Sequence, residues 1–291
     1  MNYNRENGKN TACKPIGIFD SGIGGLTVVK EIIKILPGED ILYLGDTARV
    51  PYGIRSPDTV MRYALENTEF LLHHGIKMLV VACNTVSAIG LDTLEKKTDI
   101  PVVGVLNPGA KAAIKATKKG RIGIIGTEAT ISSNAYQRAI RSLGNSTEVF
   151  GTACSLFVPL VEEGLFEGKI TELIVERYLS DLKSRDIDTL VLGCTHYPML
   201  KKQIRAFMGY GVILIDSAVE TAQTVRDILT EAQLLNNTGS LPERRFFVTD
   251  SPGRFQRIGA AFLGNEITEI ERVAIPRREQ HRNFYQHQEE R

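Results

Sequence analysis

Met78-Leu79-Val80-Val81-Ala82-Cys83-Asn84-Thr85-Val86-Ser87-Ala88 is a continuous apolar run that ends in a small residue, a cysteine and residues suited to open a helix. A second stretch echoes it: Thr189-Leu190-Val191-Leu192-Gly193-Cys194-Thr195-His196-Tyr197-Pro198-Met199. Each run reads as a strand buried on both faces of a parallel sheet. Each cysteine then falls at the carboxyl end of a strand, where open α/β sheets bind their ligands. Asn84 and Thr195 are expected to cap the helices that follow, whose free N–H groups and dipole favour an anion such as a thiolate. One buried cysteine is ordinary packing. Two in matching contexts are not, because packing does not require both to end at the same turn.

Working outward, Pro15-Ile16-Gly17-Ile18-Phe19 reads as a first strand ending at Asp20-Ser21-Gly22-Ile23-Gly24-Gly25, with a helix to Ile35 stopped by Pro37-Gly38. Ile41 to Leu44 form a second strand, which opens into the turn Gly45 to Gly53. Ser56 caps the next helix, which has Pro57 at its first position and runs to about His74. Pro101 to Val105 begin another strand. Short strands alternating with helices predict a doubly wound α/β fold.

The pattern then restarts. Arg121-Ile122-Gly123-Ile124-Ile125-Gly126-Thr127 resembles the first strand, Gly123 matching Gly17 at an offset of 106. The same offset of 106 takes Gly45 to Gly151, and each is followed by a Val-Pro pair, Val50-Pro51 and Val158-Pro159. Cys83 to Cys194 is an offset of 111. Three matches in order predict an internal duplication: two similar doubly wound domains with the active site in the cleft between them. Ile213 to Ser217 and Phe246 to Thr249 are read as the chain returning to complete domain one. Domain one is then expected at 14–105 and 216–272, and domain two at 106–215, with flexible tails at 1–13 and 276–291.

Composition bounds the function. The 291 residues are 43% hydrophobic and 24% charged with net charge +1, so no dedicated nucleic-acid surface is expected. No apolar run approaches the roughly 20 residues of a membrane span, and Met1 to Asn10 lack the apolar core of a signal peptide. A cytoplasmic protein without membrane or nucleic-acid partners is expected. Cys13, Cys83, Cys154 and Cys194 lack zinc-type or redox-type spacing, so no metal site is expected and all four should be thiols.

Two thiols on opposite walls of a cleft suit inversion of a stereocentre: one base removes a proton from one face, and a conjugate acid supplies another from the opposite face. A free thiol, with a pKa of about 8.5, is only slightly ionised at neutral pH. A helix N-terminus contributes at most about 2 kcal/mol, bringing the thiol near neutrality. Carboxylates nearby would raise that pKa, so their useful part is to accept or orient the proton. Asp20, at the first strand's end, is placed to partner Cys83, while Glu162 and His196 are the candidates beside Cys194.

These residues carry a resemblance. The chain resembles the cofactor-independent aspartate/glutamate racemase family from about Pro15 to Val273. The resembling motifs are Gly17 to Gly25, Val50-Pro51-Tyr52-Gly53, Ala82-Cys83-Asn84-Thr85 and Gly193-Cys194-Thr195-His196-Tyr197-Pro198. Gly126-Thr127 to Thr130-Ile131 and Val158-Pro159-Leu160-Val161-Glu162 also fit. The resemblance implies interconversion of L- and D-glutamate without a cofactor, pyridoxal phosphate included, supplying D-glutamate for peptidoglycan. It implies that Cys83 removes the proton from D-glutamate and Cys194 from L-glutamate. It also implies that Ser21, Tyr52, Gly53, Asn84, Thr85, Thr130 and Thr195 hold the substrate, and that a homodimer, common in the family, is to be considered.

Competing readings are plain. Asp20-Ser21 could merely cap a helix, and Asn84 and Thr85 are ordinary first-turn residues. His196 could donate to a carbonyl, and Glu162 could be a solvated helix residue. The Gly22-Ile23-Gly24-Gly25 run suggests a dinucleotide turn, but Thr27 occupies the third glycine position. Within the same fold an aspartate or hydantoin racemase is the alternative. A non-catalytic small-acid binding protein would need neither cysteine.

Overall fold

The computed structural model describes residues 11–144 and 146–275. The expected flexible tails, 1–13 and 276–291, lie outside the described residues except for 11–13. There the ammonium of Lys77 donates to the Ala12 carbonyl at 2.6 Å and to that of Leu234 at 2.8 Å. Its other partner is Glu39, at 2.5 Å and equally buried. A buried cation needs such compensation.

The first unit runs β1 (Ile16–Asp20), α1 (Leu26–Ile35), β2 (Ile41–Gly45), α2 (Pro57–His73), β3 (Met78–Val81), α3 (Asn84–Glu95) and β4 (Val102–Gly104). Ser56 caps α2 by accepting from the Thr59 N–H, with Pro57 at the first position, as its sequence dictates. The second unit runs α4 (Leu106–Ala116), β5 (Arg121–Gly126), α5 (Glu128–Ser132), α6 (Ala135–Leu143), β6 (Glu148–Ala153), α7 (Phe157–Glu162), α8 (Lys169–Ser184), β7 (Thr189–Gly193), α9 (Lys201–Met208) and β8 (Ile213–Asp216). The chain closes with α10 (Ser217–Glu231), β9 (Arg244–Val248), α11 (Pro252–Leu263) and β10 (Ile270–Arg272).

Two sheets result. One has the order β10-β9-β2-β1-β3-β4 and the other β6-β5-β7-β8. Every pairing in both is parallel. Continuous burial of β1, β2, β3 and β7 matches their unbroken apolar sequences, since helices cover both faces. In each sheet the chain reverses its winding beside the central strand, between β1 and β3 and again between β5 and β7. Both cysteines follow strands at such a switch point, where doubly wound sheets open a crevice.

Strand register tests the duplication. Gly17 pairs with Leu42 and Leu79, and Gly123 pairs with Phe150 and Leu190. Leu79 to Leu190 keeps the spacing of Cys83 to Cys194. The match of Gly45 to Gly151 is corrected: Gly45 pairs with Asp20, and its counterpart opposite Gly126 is Ala153. The connection before β6 is two residues longer than the one before β2, which identical glycines had concealed. A second correction concerns Ile213 to Ser217. β8 pairs with β7 in the second sheet as the counterpart of β4, and only β9 and β10 return to the first.

Candidate active site

Cys83 and Cys194 line one pocket. Ser21, Tyr52, Gly53, Asn84, Thr85, Thr195 and His196 share its wall with Val50, Pro51, Thr127 and Val158. It encloses about 20 Å³, room for about one water molecule. An adjoining, mainly apolar chamber of about 310 Å³ shares Val50, Pro51, Gly53, Thr127 and Val158 with it and leads outward past Glu162 and Arg254.

Cys83 is the N-cap residue of α3, so Asn84 is the first helical residue and not the cap that its sequence suggested. The side chain of Asn84 turns instead to Tyr136, whose hydroxyl donates to Asn84 Oδ1 at 2.7 Å. Asn84 Nδ2 is buried without a hydrogen-bond partner among the described residues. A buried amide donor left this way is a strong demand for an acceptor. The expected cap at Thr195 is also corrected. A short 3-10 turn, Tyr197–Leu200, follows with His196 at its N-cap position, and α9 begins only at Lys201. Pro198 removes one backbone donor and holds the chain in that tighter turn.

The Cys83 thiol does not sit near neutrality. Burial, followed by the charge of Asp20, pushes it up to about 12, against the pull of the Val86 N–H and the Ser21 hydroxyl. The helix terminus is present, but its effect is smaller than the loss of solvent. Asp20 is fully buried. Its Oδ2 accepts from Gly25 N at 3.0 Å and Gly22 N at 3.2 Å, and Thr195 Oγ1 donates to its Oδ1 at 3.5 Å. Burial raises its carboxyl above the ordinary value, while the charge of His196 and those backbone donors pull it down.

Beside Cys194 a chain of groups runs outward. His196 Nδ1 lies 3.9 Å from Cys194 Sγ, and His196 Nε2 lies 3.2 Å from Glu162 Oε1. Arg254 completes it, 3.6 Å from Glu162 Oε2 and 3.2 Å from Glu163 Oε1. Burial alone would lower the His196 pKa, but its hydrogen bonds to Cys194 and Glu162 and their charges carry it up to about 10. Burial raises Glu162, yet His196 and Arg254 outweigh it and leave the carboxyl below its ordinary value. Glu162 therefore reaches Cys194 only through the imidazole.

The remaining candidates divide. Thr85 Oγ1 lies 3.0 Å from Thr127 Oγ1 and 3.3 Å from Thr130 Oγ1, with Thr127 and Thr130 2.9 Å apart. Thr130 thus stands behind the two hydroxyls at the pocket wall. Tyr52 lines the pocket, but its hydroxyl is committed: it donates to Asp46 and accepts from Asn67 Nδ2 at 3.0 Å. Gly53 and Gly24 permit the units to meet. A Cβ at Gly24 would fall 2.3 Å from Thr195 Oγ1, and one at Gly53 would fall 2.4 Å from Thr127 Cβ. Among the described residues, no three His, Cys, Asp or Glu side chains gather as a metal site. No helix there is long and apolar enough to cross a membrane.

With that geometry in place, relatives are informative. A sequence model of the Asp/Glu/hydantoin racemase family matches residues 16–225. The chain belongs to this family. Glutamate racemase of Geobacter metallireducens is 53% identical over 90% of this chain and 97% of its own. The crystal structure of glutamate racemase from Francisella tularensis in complex with D-glutamate superposes with a TM-score of 0.86 at 42% identity, covering 91% and 98% of the two chains. A glutamate racemase isoform from Bacillus anthracis gives 0.87 at 44% identity, covering 90% and 98%.

Three residues at or beside this pocket were not among the candidates read from the sequence: Thr127, quoted there only within a motif, Tyr136 and Arg254. Applying the first repeat offset to Ser21 lands on Thr127, so that signal existed. The second offset takes Asn84 to Thr195 and Thr85 to His196, while Asp20 corresponds to Gly126. The two walls therefore differ in their acids and bases despite their matching strand registers. Tyr136 and Arg254 arrive from α6 and α11, for which no local pattern points to the pocket.

Proposed function

We propose that the protein interconverts L- and D-glutamate by a two-base mechanism, in which one cysteine removes the α-proton and the other supplies a proton to the opposite face, without a cofactor. The observation that carries this reading is the placement of both thiols on one small pocket, where Asn84 Nδ2 is a buried donor without a hydrogen-bond partner among the described residues. Glutamate as substrate is supported by the relatives, which bear that activity in their names.

In the L to D direction, Cys194 takes the α-proton, with the His196 imidazolium and Glu162 behind it stabilising the thiolate. The Cys83 thiol, held protonated by burial, delivers a proton to the other face. In the reverse direction Cys83 first passes its proton to the buried carboxyl of Asp20, whose raised pKa suits that acceptance, and then takes the α-proton. Cys194, supplied with a proton by the neighbouring His196, delivers one to the other face. Asn84, Thr85, Thr127, Thr195, Ser21 and the main chain at Tyr52-Gly53 bind carboxylates and ammonium, with Thr130 supporting them. The pocket is too small for glutamate as it stands, so the two units part to admit it. The reading takes 14–105 with 216–272 as one moving unit and 106–215 as the other. It assigns the product to peptidoglycan synthesis in the cytoplasm.

Circular dichroism of L-glutamate incubated with dialysed protein tests the reading. The signal should decay to zero, as should that of D-glutamate. A stable signal, restoration only by added metal or pyridoxal phosphate, or faster turnover of aspartate would overturn it.

A further inference from the structure

We propose that Tyr136 is a positioning residue for substrate binding: its hydroxyl fixes the amide of Asn84 so that Nδ2, not Oδ1, faces the substrate carboxylate. The inference rests on the reading of this pocket as the glutamate site. An asparagine amide has a donor end and an acceptor end of nearly the same shape, so the pocket alone does not choose between them. The choice comes from across the interface between the units. Tyr136 lies on α6 and Asn84 on α3, and the phenol donates to Oδ1 at 2.7 Å. Both residues are buried, and Nδ2 is left without a partner. Reversal of the amide would aim Oδ1 at a carboxylate, where two acceptors repel.

Burial keeps the phenol in the donating role. Burial raises its pKa well above the ordinary value, so it stays protonated. Ser217, at the start of α10, acts on the same phenol and pulls its pKa partly back, without offsetting burial. The hydrogen bond from Tyr136 fixes which end of the Asn84 amide is left for the substrate. The ring also fills space next to the second cysteine strand. A Cβ at Gly193 would fall 3.2 Å from Tyr136 Cε2. Phenylalanine would retain that packing and remove only the hydroxyl.

The test is a kinetic cycle of Tyr136→Phe, Asn84→Ala and the double variant, assayed with both enantiomers. Tyr136→Phe should raise KM roughly 10-fold for both, the scale of one hydrogen bond to a charged group, with kcat within about 2-fold because only uniform binding is lost. In the Asn84→Ala background the same change should add less than about 2-fold. Asn84→Ala alone should raise KM at least as much. An unchanged KM in Tyr136→Phe would overturn the proposal. So would losses that multiply in the double variant, since these would show Tyr136 acting on structure and not through Asn84. Wild-type protein that fails to racemise glutamate would instead remove the underlying reading of the site.

Discussion

Asp20 and His196, which stand beside opposite cysteines, act on one another across the cleft. Burial raises the Asp20 carboxyl, and the charge on His196 is the largest influence drawing it back down. The two walls of the pocket are therefore electrostatically coupled, and the protonation of one side is felt by the other. Thr195 makes the bridge physical: it follows Cys194 in the chain and donates to Asp20 at 3.5 Å.

Removal of either group should damage the two directions unequally. Positioned acid–base groups contribute about 10²–10⁴-fold, so Asp20→Asn and His196→Asn should each lose kcat on that scale while remaining folded. The equilibrium between enantiomers forces equal loss in kcat/KM, so the asymmetry belongs in kcat for each direction. The double variant should lose less than the product of the single losses, because the groups interact. Near-normal kcat in Asp20→Asn would reduce that residue to a partner for the Gly22 and Gly25 N–H groups.

Cys83 should be a protonated thiol in the resting protein. Thiolate is the reactive form, and burial with the charge of Asp20 pushes this thiol up to about 12. Site-resolved alkylation by iodoacetamide should be slow at neutral pH and climb about tenfold per pH unit through pH 9 to 10. Cys13, which is exposed, should react first. A reactivity plateau at Cys83 near pH 7 would contradict this.

The same reasoning gives a pH dependence of stability. His196 holds its proton more tightly when folded, its pKa rising from 6.5 to about 10. Its contribution is then whole below about 6.5 and is lost as the pH climbs through about 10. Glu162 has the opposite sign: its pKa is lowered from 4.5, so its contribution is present above that value and lost on acidification. Tm should therefore fall between pH 7 and 10 in the wild type, and less steeply in His196→Asn. Parallel curves for the two proteins would show that the pair does not form.

Much of this arrangement was legible in the chain. The alternation of strands and helices, both strand-end cysteines and the duplication can be read from apolar runs and turn residues, because parallel strands and their following turns are local. The helix caps were not so legible. Asn84 has the chemistry of a cap, but its amide is claimed by Tyr136, a partner 52 residues away. Tyr52 has the chemistry of a ligand-binding phenol, yet its hydroxyl is taken by Asp46 within a buried network. Ile213 to Asp216 looks the same whether it closes the first sheet or the second, since a strand's sequence records its burial and not its neighbour. The pKa of Cys83 depends on how completely the units close over it, which no local pattern encodes.

The central claim is that each face of the substrate has its own thiol, and deuterium incorporation at early times tests it most directly. L- and D-glutamate are each incubated with the protein in heavy water, and the α-carbon of both product and remaining substrate is followed by mass spectrometry. With Cys83 and Cys194 as separate bases, the proton removed is not the one returned. Product from either enantiomer should then carry deuterium from the first turnovers, while recovered substrate stays largely protonated. Product that retains a substantial share of the original α-hydrogen would mean a single base serving both faces, and would contradict the account.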